Sequence, residues 1–311
     1  MHTIAAALET WFASARRPMP WRRKPTPYGC WLSEIMMQQT TYASVLPYYA
    51  RFLKKFPTVE RLAAAGEADV LKAWEGLGYY ARARNLHKAA REMTATGKAR
   101  WPTTAAEWEK VPGVGPYTAA ALASVLCGER TPVVDGNVAR VFARFWRLGD
   151  DFKKLPARQR LARRLQKEID AADNPGDFNQ AMMELGALVC TPKSPSCGAC
   201  PLAAACAAHK NGCPEEFPVR AGRKTVPVRH VQAVVVTDGQ GRVLLVQNKE
   251  GGLLKGLWEL PAIENGDSLS QAFSHFRLAL QTFRAIRRDA EFKDPRSVPL
   301  TTATRKILGL A

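Results

Sequence analysis

Apolar residues recur at intervals of three and four through the first two-thirds of the chain, as in Leu62, Val70, Leu71, Trp74 and Leu77. Glycine and proline break the pattern between stretches, which predicts a succession of helices over residues 1–213. Residues 4–8 open an amphipathic helix; with no basic residue before them and Glu9 after, they do not read as a leader. Thr26-Pro27 places a cap and then a proline at a helix start, predicting a helix from Pro27 to about Gln38. Pro102-Thr103-Thr104 opens another that ends at Pro112-Gly113-Val114-Gly115. A third runs from Pro116 to near Gly128. Beyond residue 213 the period changes. Pro214, Pro218 and Pro227, with Arg220, Arg223 and Lys224, predict an extended basic linker over 214–228. Residues 232–237 and 242–248 are strand-like runs joined by Asp238-Gly239-Gln240-Gly241, a hairpin signal. Phe276, Leu278 and Leu280 alternate with polar or small neighbours and predict a third strand, and residues 301–310 a short helix. The expected fold class is mainly α: a helical domain over 1–213, the linker, and a small α+β domain over 229–311.

Composition narrows the function. The 311 residues carry 45 Lys and Arg against 28 Asp and Glu, a formal charge of +17. Such a chain suits a polyanionic partner, with nucleic acid the first candidate and plain solubilising charge the alternative. A hydrophobic share of 46% argues against wholesale disorder. No apolar run reaches the roughly 18 residues of a membrane span. No membrane partner is expected; the default expectation is a monomer, soluble in a bacterial-type cytoplasm, which would gather at the nucleoid if its polyanion is DNA. Of the 7 cysteines, Cys30 and Cys127 sit in apolar surroundings and predict small core residues. The other five crowd into 190–213, which reads as a metal site rather than a disulfide framework.

Four motifs carry chemistry. Val111-Pro112-Gly113-Val114-Gly115-Pro116 puts two glycines between helices. The turn can approach a partner closely, and the next helix offers its N–H groups to a phosphate; an ordinary helix–helix turn is the alternative. Asp135, in Val134-Asp135-Gly136-Asn137, is placed to cap a helix. It would also stay ionised there and could stabilise a developing cation. Glu34 lies off the apolar stripe of Tyr28, Trp31, Leu32 and Ile35, near a helix C-terminus that disfavours its charge; in a dry site its pKa would rise, whereas on the surface it would simply be solvated. Together Glu34 and Asp135 would form a carboxylate pair in opposed environments. Cys190, Cys197, Cys200 and Cys206 follow a C-x6-C-x2-C-x5-C spacing. It favours a [4Fe–4S] cluster over zinc, which more often uses two separated C-x2-C pairs. Cys213 is left spare, and Lys193, His209 and Lys210 make the loop basic.

These motifs, with Gly76-Leu77-Gly78-Tyr79-Tyr80-Ala81-Arg82 between them, occur in the order found in MutY-type adenine DNA glycosylases of the endonuclease III superfamily. The resemblance runs from residue 8 to about 210. It implies a two-lobed helix-hairpin-helix domain with an iron–sulfur loop. More weakly, through Gly256-Leu257-Trp258, Phe273-Ser274-His275 and Thr304–Leu308, it implies a Nudix-like recognition domain. It further implies excision of adenine opposite 8-oxoguanine or guanine in double-stranded DNA. Glu34 would protonate the adenine, Asp135 would stabilise the oxocarbenium ion, and Asn137 would orient Asp135. Tyr117 stands where bifunctional relatives carry Lys, so no Schiff base and no efficient strand cleavage is expected. Arg17, Trp21, Arg22 and Glu184 would line the adenine pocket, Gln39, Thr40 and Tyr79 would wedge beside 8-oxoguanine, and Phe273, Ser274 and His275 would read it. Two departures stand out. The stretch 262–272 is short, so the recognition domain is trimmed, and the acidic helix of Nudix hydrolases is missing, so no pyrophosphatase activity is expected. The rival readings are a glycosylase for another mispair and a non-catalytic DNA-binding protein, though a pure binder has no need of Glu34, Asp135 and Tyr117.

Overall fold

The computed structural model describes residues 3–219, 232–233, 235–249, 252, 254–263 and 290–310. The expected strand near 276–281, Phe273, Ser274, His275 and residues 220–228 of the expected linker lie outside the described residues. The chain forms two compact units: Met1–Ile35 with Arg100–Lys224, and Met36–Ala99 with Thr225–Ala311. No helix among the described residues is long and apolar enough to cross a membrane.

In the first unit, α1 (Ile4–Ala15), α2 (Pro20–Arg23) and α3 (Pro27–Met37) precede α8 (Ala105–Trp108), α9 (Pro116–Cys127), α10 (Gly136–Phe145), α11 (Leu155–Asp170), α12 (Pro175–Leu188) and α13 (Ala207–Lys210). Side-chain chemistry sets the starts. Thr3 accepts from Ala6 N–H at 3.2 Å, Thr26 from Gly29 at 3.1 Å, and Asn174 from Asp177 at 3.1 Å, each satisfying an N–H that the helix itself leaves unpaired. Helix α9 ends at Gly128, whose φ of 69° suits a residue without a Cβ. The helix expected from Pro102 is shorter than its signal. Thr104 accepts from Glu107 N–H at 3.2 Å while the Glu107 carboxylate accepts from Thr103 N–H at 2.8 Å. This reciprocal cap fixes the start at Ala105. The core of this unit includes an apolar cluster that contains Leu8, Phe12, Val138, Phe142, Leu161, Leu165, Phe178, Met182 and Leu185. Cys30 is buried as expected, but Cys127 is exposed, because the buried run of α9 ends at Ser124, a turn earlier.

The second unit holds α4 (Tyr42–Lys55), α5 (Val59–Ala63), α6 (Glu67–Trp74) and α7 (Ala81–Met93). It also holds β1 (Gln232–Ala233), β2 (Val243–Gln247), β3 (Trp258–Glu259), β4 (Ala262–Ile263), β5 (Glu291–Lys293) and α14 (Thr302–Ile307). The expected hairpin survives in part. Asp238 N–H donates to Arg242 O at 3.0 Å, and Thr237 bridges Val243 antiparallel. The regular pairings of β2, however, are with β3 and β5, and β1 pairs with β4. Val243, Leu245, Trp258, Leu260 and Leu300 form a small separate core. Side-chain-to-backbone contacts distant in the chain tie this part to α6 and its C-terminal cap: Glu75 Oε1 accepts from Leu300 N–H at 2.7 Å, and Lys72 Nζ donates to Val298 O at 2.9 Å.

Helices α10 and α12 meet at Gly186, where a Cβ would lie 2.6 Å from Asn137 Cβ and 3.1 Å from its Cα. Gly186→Ala is expected to cost ~1–3 kcal/mol by overpacking against main chain, read as a lower urea midpoint with an unchanged slope.

Candidate active site

The site is assembled in the first unit from α3, α9, α10 and α12. Asp135 precedes α10 as its cap: Oδ1 accepts from Val138 N–H at 2.7 Å and Oδ2 from Asn137 Nδ2 at 2.9 Å. Asn137 is fixed in turn, its Oδ1 accepting from Arg140 Nη2 at 2.9 Å. Arg140 continues to Gly186 O and Cys190 O, each at 2.8 Å. The segment entering the cap is pinned by Asn179, which is fully buried on α12. Its Oδ1 accepts from Val133 N–H at 3.0 Å, and its Nδ2 donates to Ser124 Oγ and Thr131 O, each at 2.9 Å.

Glu34 and Tyr117 complete the centre. Glu34 Oε2 is buried with no hydrogen-bond partner among the described residues, and such an atom is costly unless protonated or matched by a ligand. Burial pushes the Glu34 carboxyl up to about 7; a hydrogen bond with Tyr117 and the Arg22 charge pull it down, and the Asp135 charge pushes it further up. Burial, then the charges of Glu34 and Asp135, raise the Tyr117 hydroxyl well above its ordinary value. The Tyr117 hydroxyl also donates to Met183 Sδ at 3.1 Å. Asp135 is raised too. Burial outweighs the N–H bonds and the Arg140 charge that pull it down. The contrast between the carboxyls is therefore smaller than the capping position alone suggests. It lies in the donors held by Asp135 and absent from Glu34 Oε2.

Next to this centre, Glu184 is 1% exposed in its side chain and gathers two arginines. Arg17 donates through Nε and Nη2 at 2.7 and 2.9 Å, and Arg22 through Nη2 at 3.2 Å. Burial alone would raise Glu184, but the arginines more than reverse that, and the net direction is down. Gln180, one turn before Glu184 on α12, accepts from Arg22 Nε at 2.8 Å. Trp21 is buried on α2 beside them in sequence. Gln180, Asn179 and Met183 carry no motif of their own. Gln180 lies one turn from Glu184 on the same helix face, a spacing that could have pointed to it; Asn179 and Met183 have no such signal.

The hairpin glycines behave as the motif predicts. Gly113 has φ 82°, Val114 is buried, and Gly115 precedes α9 with no side-chain cap. Gln39, Thr40 and Tyr79 belong to the second unit.

Cys190, Cys197, Cys200 and Cys206 line a single cavity. Among the described residues, no three His, Cys, Asp or Glu close around one ion position. The donor set suits an anionic sulfur centre. Arg144, 2% exposed, donates to Cys190 Sγ at 3.3 Å and to Thr191 O and Pro192 O at 2.7 and 3.1 Å. Burial and the neighbouring thiols push Cys200 up to about 11. Four thiolates could share this cavity only with a cationic centre between them to offset their repulsion; as thiols they need none.

Comparison with known proteins bears on the whole arrangement. Residues 32–168 match the family described as HhH-GPD superfamily base excision DNA repair protein. An adenine DNA glycosylase of Homo sapiens is 37% identical over 83% of this chain and 57% of its own length. One of Buchnera aphidicola subsp. Schizaphis graminum is 32% identical over 84% of this chain and 75% of its own. The chain belongs to the adenine DNA glycosylase family. It spans under three-fifths of the length of the mammalian relatives it matches. Among solved structures, a thermostable thymine-DNA glycosylase superposes with a TM-score of 0.59 at 27% identity, covering 67% of this chain and 95% of that one. A trapped endonuclease III–DNA covalent intermediate gives 0.56 at 24% identity, covering 66% and 93%, and shares the fold.

The Glu34 carboxyl predicts a pH signature. Its folded pKa of about 7 lies above the ordinary 4.5, so the folded state binds this proton more tightly than the unfolded chain. Its contribution is therefore most favourable below about 4.5 and is lost as pH rises toward about 7. Glu34→Gln should remove that slope, so its stability relative to the parent should rise across this window in denaturant titrations. A parallel pair of profiles would contradict the assignment.

Proposed function

We propose that this protein is a monofunctional glycosylase that removes adenine mispaired with 8-oxoguanine or guanine in double-stranded DNA, acting as a monomer. The observation that carries the reading is the pair of half-buried residues, Glu34 and Asp135, bearing on one tyrosine. Adenine is a poor leaving group inside a duplex. The nucleotide is first extruded, at a cost of order a few kcal/mol. Glu34, raised to about 7, carries a proton in a substantial share of molecules near neutral pH and gives it to the flipped adenine. Asp135, kept anionic by Val138 N–H and Asn137, faces the positive sugar that remains. This is the logic of paired carboxylates at a glycosidic bond. Tyr117 offers no amine, so water completes the reaction without strand cleavage. Arg17, Trp21, Arg22 and Glu184 shape the base pocket. The Gly113-Val114-Gly115 turn and the start of α9 hold a backbone phosphate, and the excess positive charge holds the duplex. Phe273, Ser274 and His275 read the damaged base from a trimmed Nudix-like domain over 229–311, joined by a linker over 214–228 to the helical domain over 1–213. Cys190, Cys197, Cys200 and Cys206 would hold a [4Fe–4S] cluster, which when bound supplies the iron–sulfur bonds that cross-link this loop; Arg144 braces the loop from beneath.

A duplex bearing adenine opposite 8-oxoguanine should yield strand breaks only after alkali treatment. Breaks at a different mispair alone would redirect the reading, and the absence of any abasic site would end it. Asp135→Asn should bind that duplex but lose excision, and Glu34→Gln should lose about 10²–10⁴-fold in single-turnover rate. Survival of turnover in Asp135→Asn would contradict its role. The purified protein should contain iron and absorb near about 400 nm, and replacing Cys197 with Ser should remove both; zinc alone would overturn the cluster.

A further inference from the structure

The second unit contains two turns with an unusual backbone. Gln39 has φ 58° and Tyr79 has φ 50°, both left-handed in residues that carry a Cβ. Strain of this kind persists only where the surroundings over-determine it. Tyr79 is moreover 55% exposed, a large aromatic displayed at a strained turn. One side chain reaches both turns. Arg82 lies on α7 and is 7% exposed. Its Nη1 donates to Met36 O at 2.6 Å and also to Gln38 O. Its Nη2 donates to Leu77 O at 3.2 Å and Gly78 O at 3.0 Å. Each of these four carbonyls belongs to a residue within three positions of Gln39 or Tyr79. The guanidinium also lies 5.4 Å from the centroid of the Tyr79 ring and 5.4 Å from that of Trp74. Trp74 in turn donates Nε1 to Gly78 O at 3.1 Å.

We propose that Arg82 is a positioning residue that holds Gln39 and Tyr79 as a pair, in the conformations with which they enter the DNA helix beside the damaged base; this rests on the function proposed above. The chemistry requires arginine. A planar fork can donate to two turns at once from opposite nitrogens, whereas an ammonium is a point donor that serves one or the other. The fork also packs over the Tyr79 ring while its Nη groups are engaged by the four carbonyls, which restrains the ring as well as the turn. Discrimination is thereby tied to a residue that need not touch DNA.

The test uses the full chain, with Arg82→Lys and Arg82→Met made alone and in a Gln39→Ala/Tyr79→Ala background. The first readout is the ratio of binding constants for duplexes carrying 8-oxoguanine or guanine opposite a stable abasic analogue. The second is the fluorescence of 2-aminopurine placed beside 8-oxoguanine in the same duplex, which rises when a wedge unstacks it. Neither requires excision. Arg82→Lys should lose about tenfold in the binding ratio, the scale of a lost charge-assisted contact, together with most of the fluorescence rise. In the double-alanine background the same substitution should change both readouts by no more than about twofold. An undiminished loss in that background would make Arg82 a general support and overturn the proposal. So would a full fluorescence rise without the fork, or an Arg82→Lys protein that no longer unfolds cooperatively. If Arg82→Met fails to fold, Arg82→Lys alone decides. A parent protein that excises no adenine and gives no fluorescence rise would refute the function itself. A parent that does both while Arg82→Lys matches it refutes only the role of Arg82.

Discussion

The structure of the site depends on keeping carboxyl groups out of water while giving them unequal numbers of donors. A buried carboxylate is tolerated where N–H groups or cations point at it, and is driven to take up a proton where they do not. Asp135 has Val138 N–H and Asn137 Nδ2, whereas Glu34 Oε2 has neither. The helix N-terminus therefore does two things at Asp135. It stabilises α10, and it supplies the donors that resist the desolvation its burial imposes. The Asp135 charge adds to burial in raising the affinity of Glu34 for a proton, and both carboxyls raise the Tyr117 hydroxyl.

Helix α12 is the beam that makes this arrangement possible. Along little more than two turns it presents Asn179 to the strand-like segment before Asp135, Gln180 and Glu184 to the arginines, Met183 to Tyr117, and Gly186 to Asn137. Each contact is made by a residue with little functional signal on its own. Because one rigid helix carries them all, the positions of Arg17, Arg22, Tyr117 and Asn137 are set against a common reference. Arg140 extends the same logic from Asn137 to the main chain at Cys190, so the cysteine loop and the carboxylate site share a brace.

The second unit obeys a different constraint. Its exposed functional candidates sit on turns whose backbone is unfavourable for their residue types. Such turns are held from within by a buried guanidinium and from the chain end by Leu300, whose carbonyl accepts from Tyr80 Oη at 3.3 Å and whose N–H reaches Glu75. Tyr80 is adjacent to Tyr79, so the terminal segment and the exposed aromatic share one stretch of main chain.

The sequence determined the helical character, the starts of α3 and α9 and the hairpin turn, and it singled out Glu34 and Asp135 as candidates. These are local matters: caps, prolines, glycines and apolar period act within a few residues. It also placed four cysteines close enough along the chain to meet. It did not determine the extent of α8, which stops at Trp108 and gives way to turns before Pro112, or the exposure of Cys127, where the buried face ends early. Nor did it reveal that Asp135 is raised rather than lowered, since capping is a local effect and desolvation comes from whatever packs above it. The roles of Asn179, Gln180, Met183, Arg140 and Arg82 were decided by tertiary structure alone. Each acts on a residue distant in the chain or across a turn, and hydrogen-bond geometry of that range leaves no periodic trace in a single sequence.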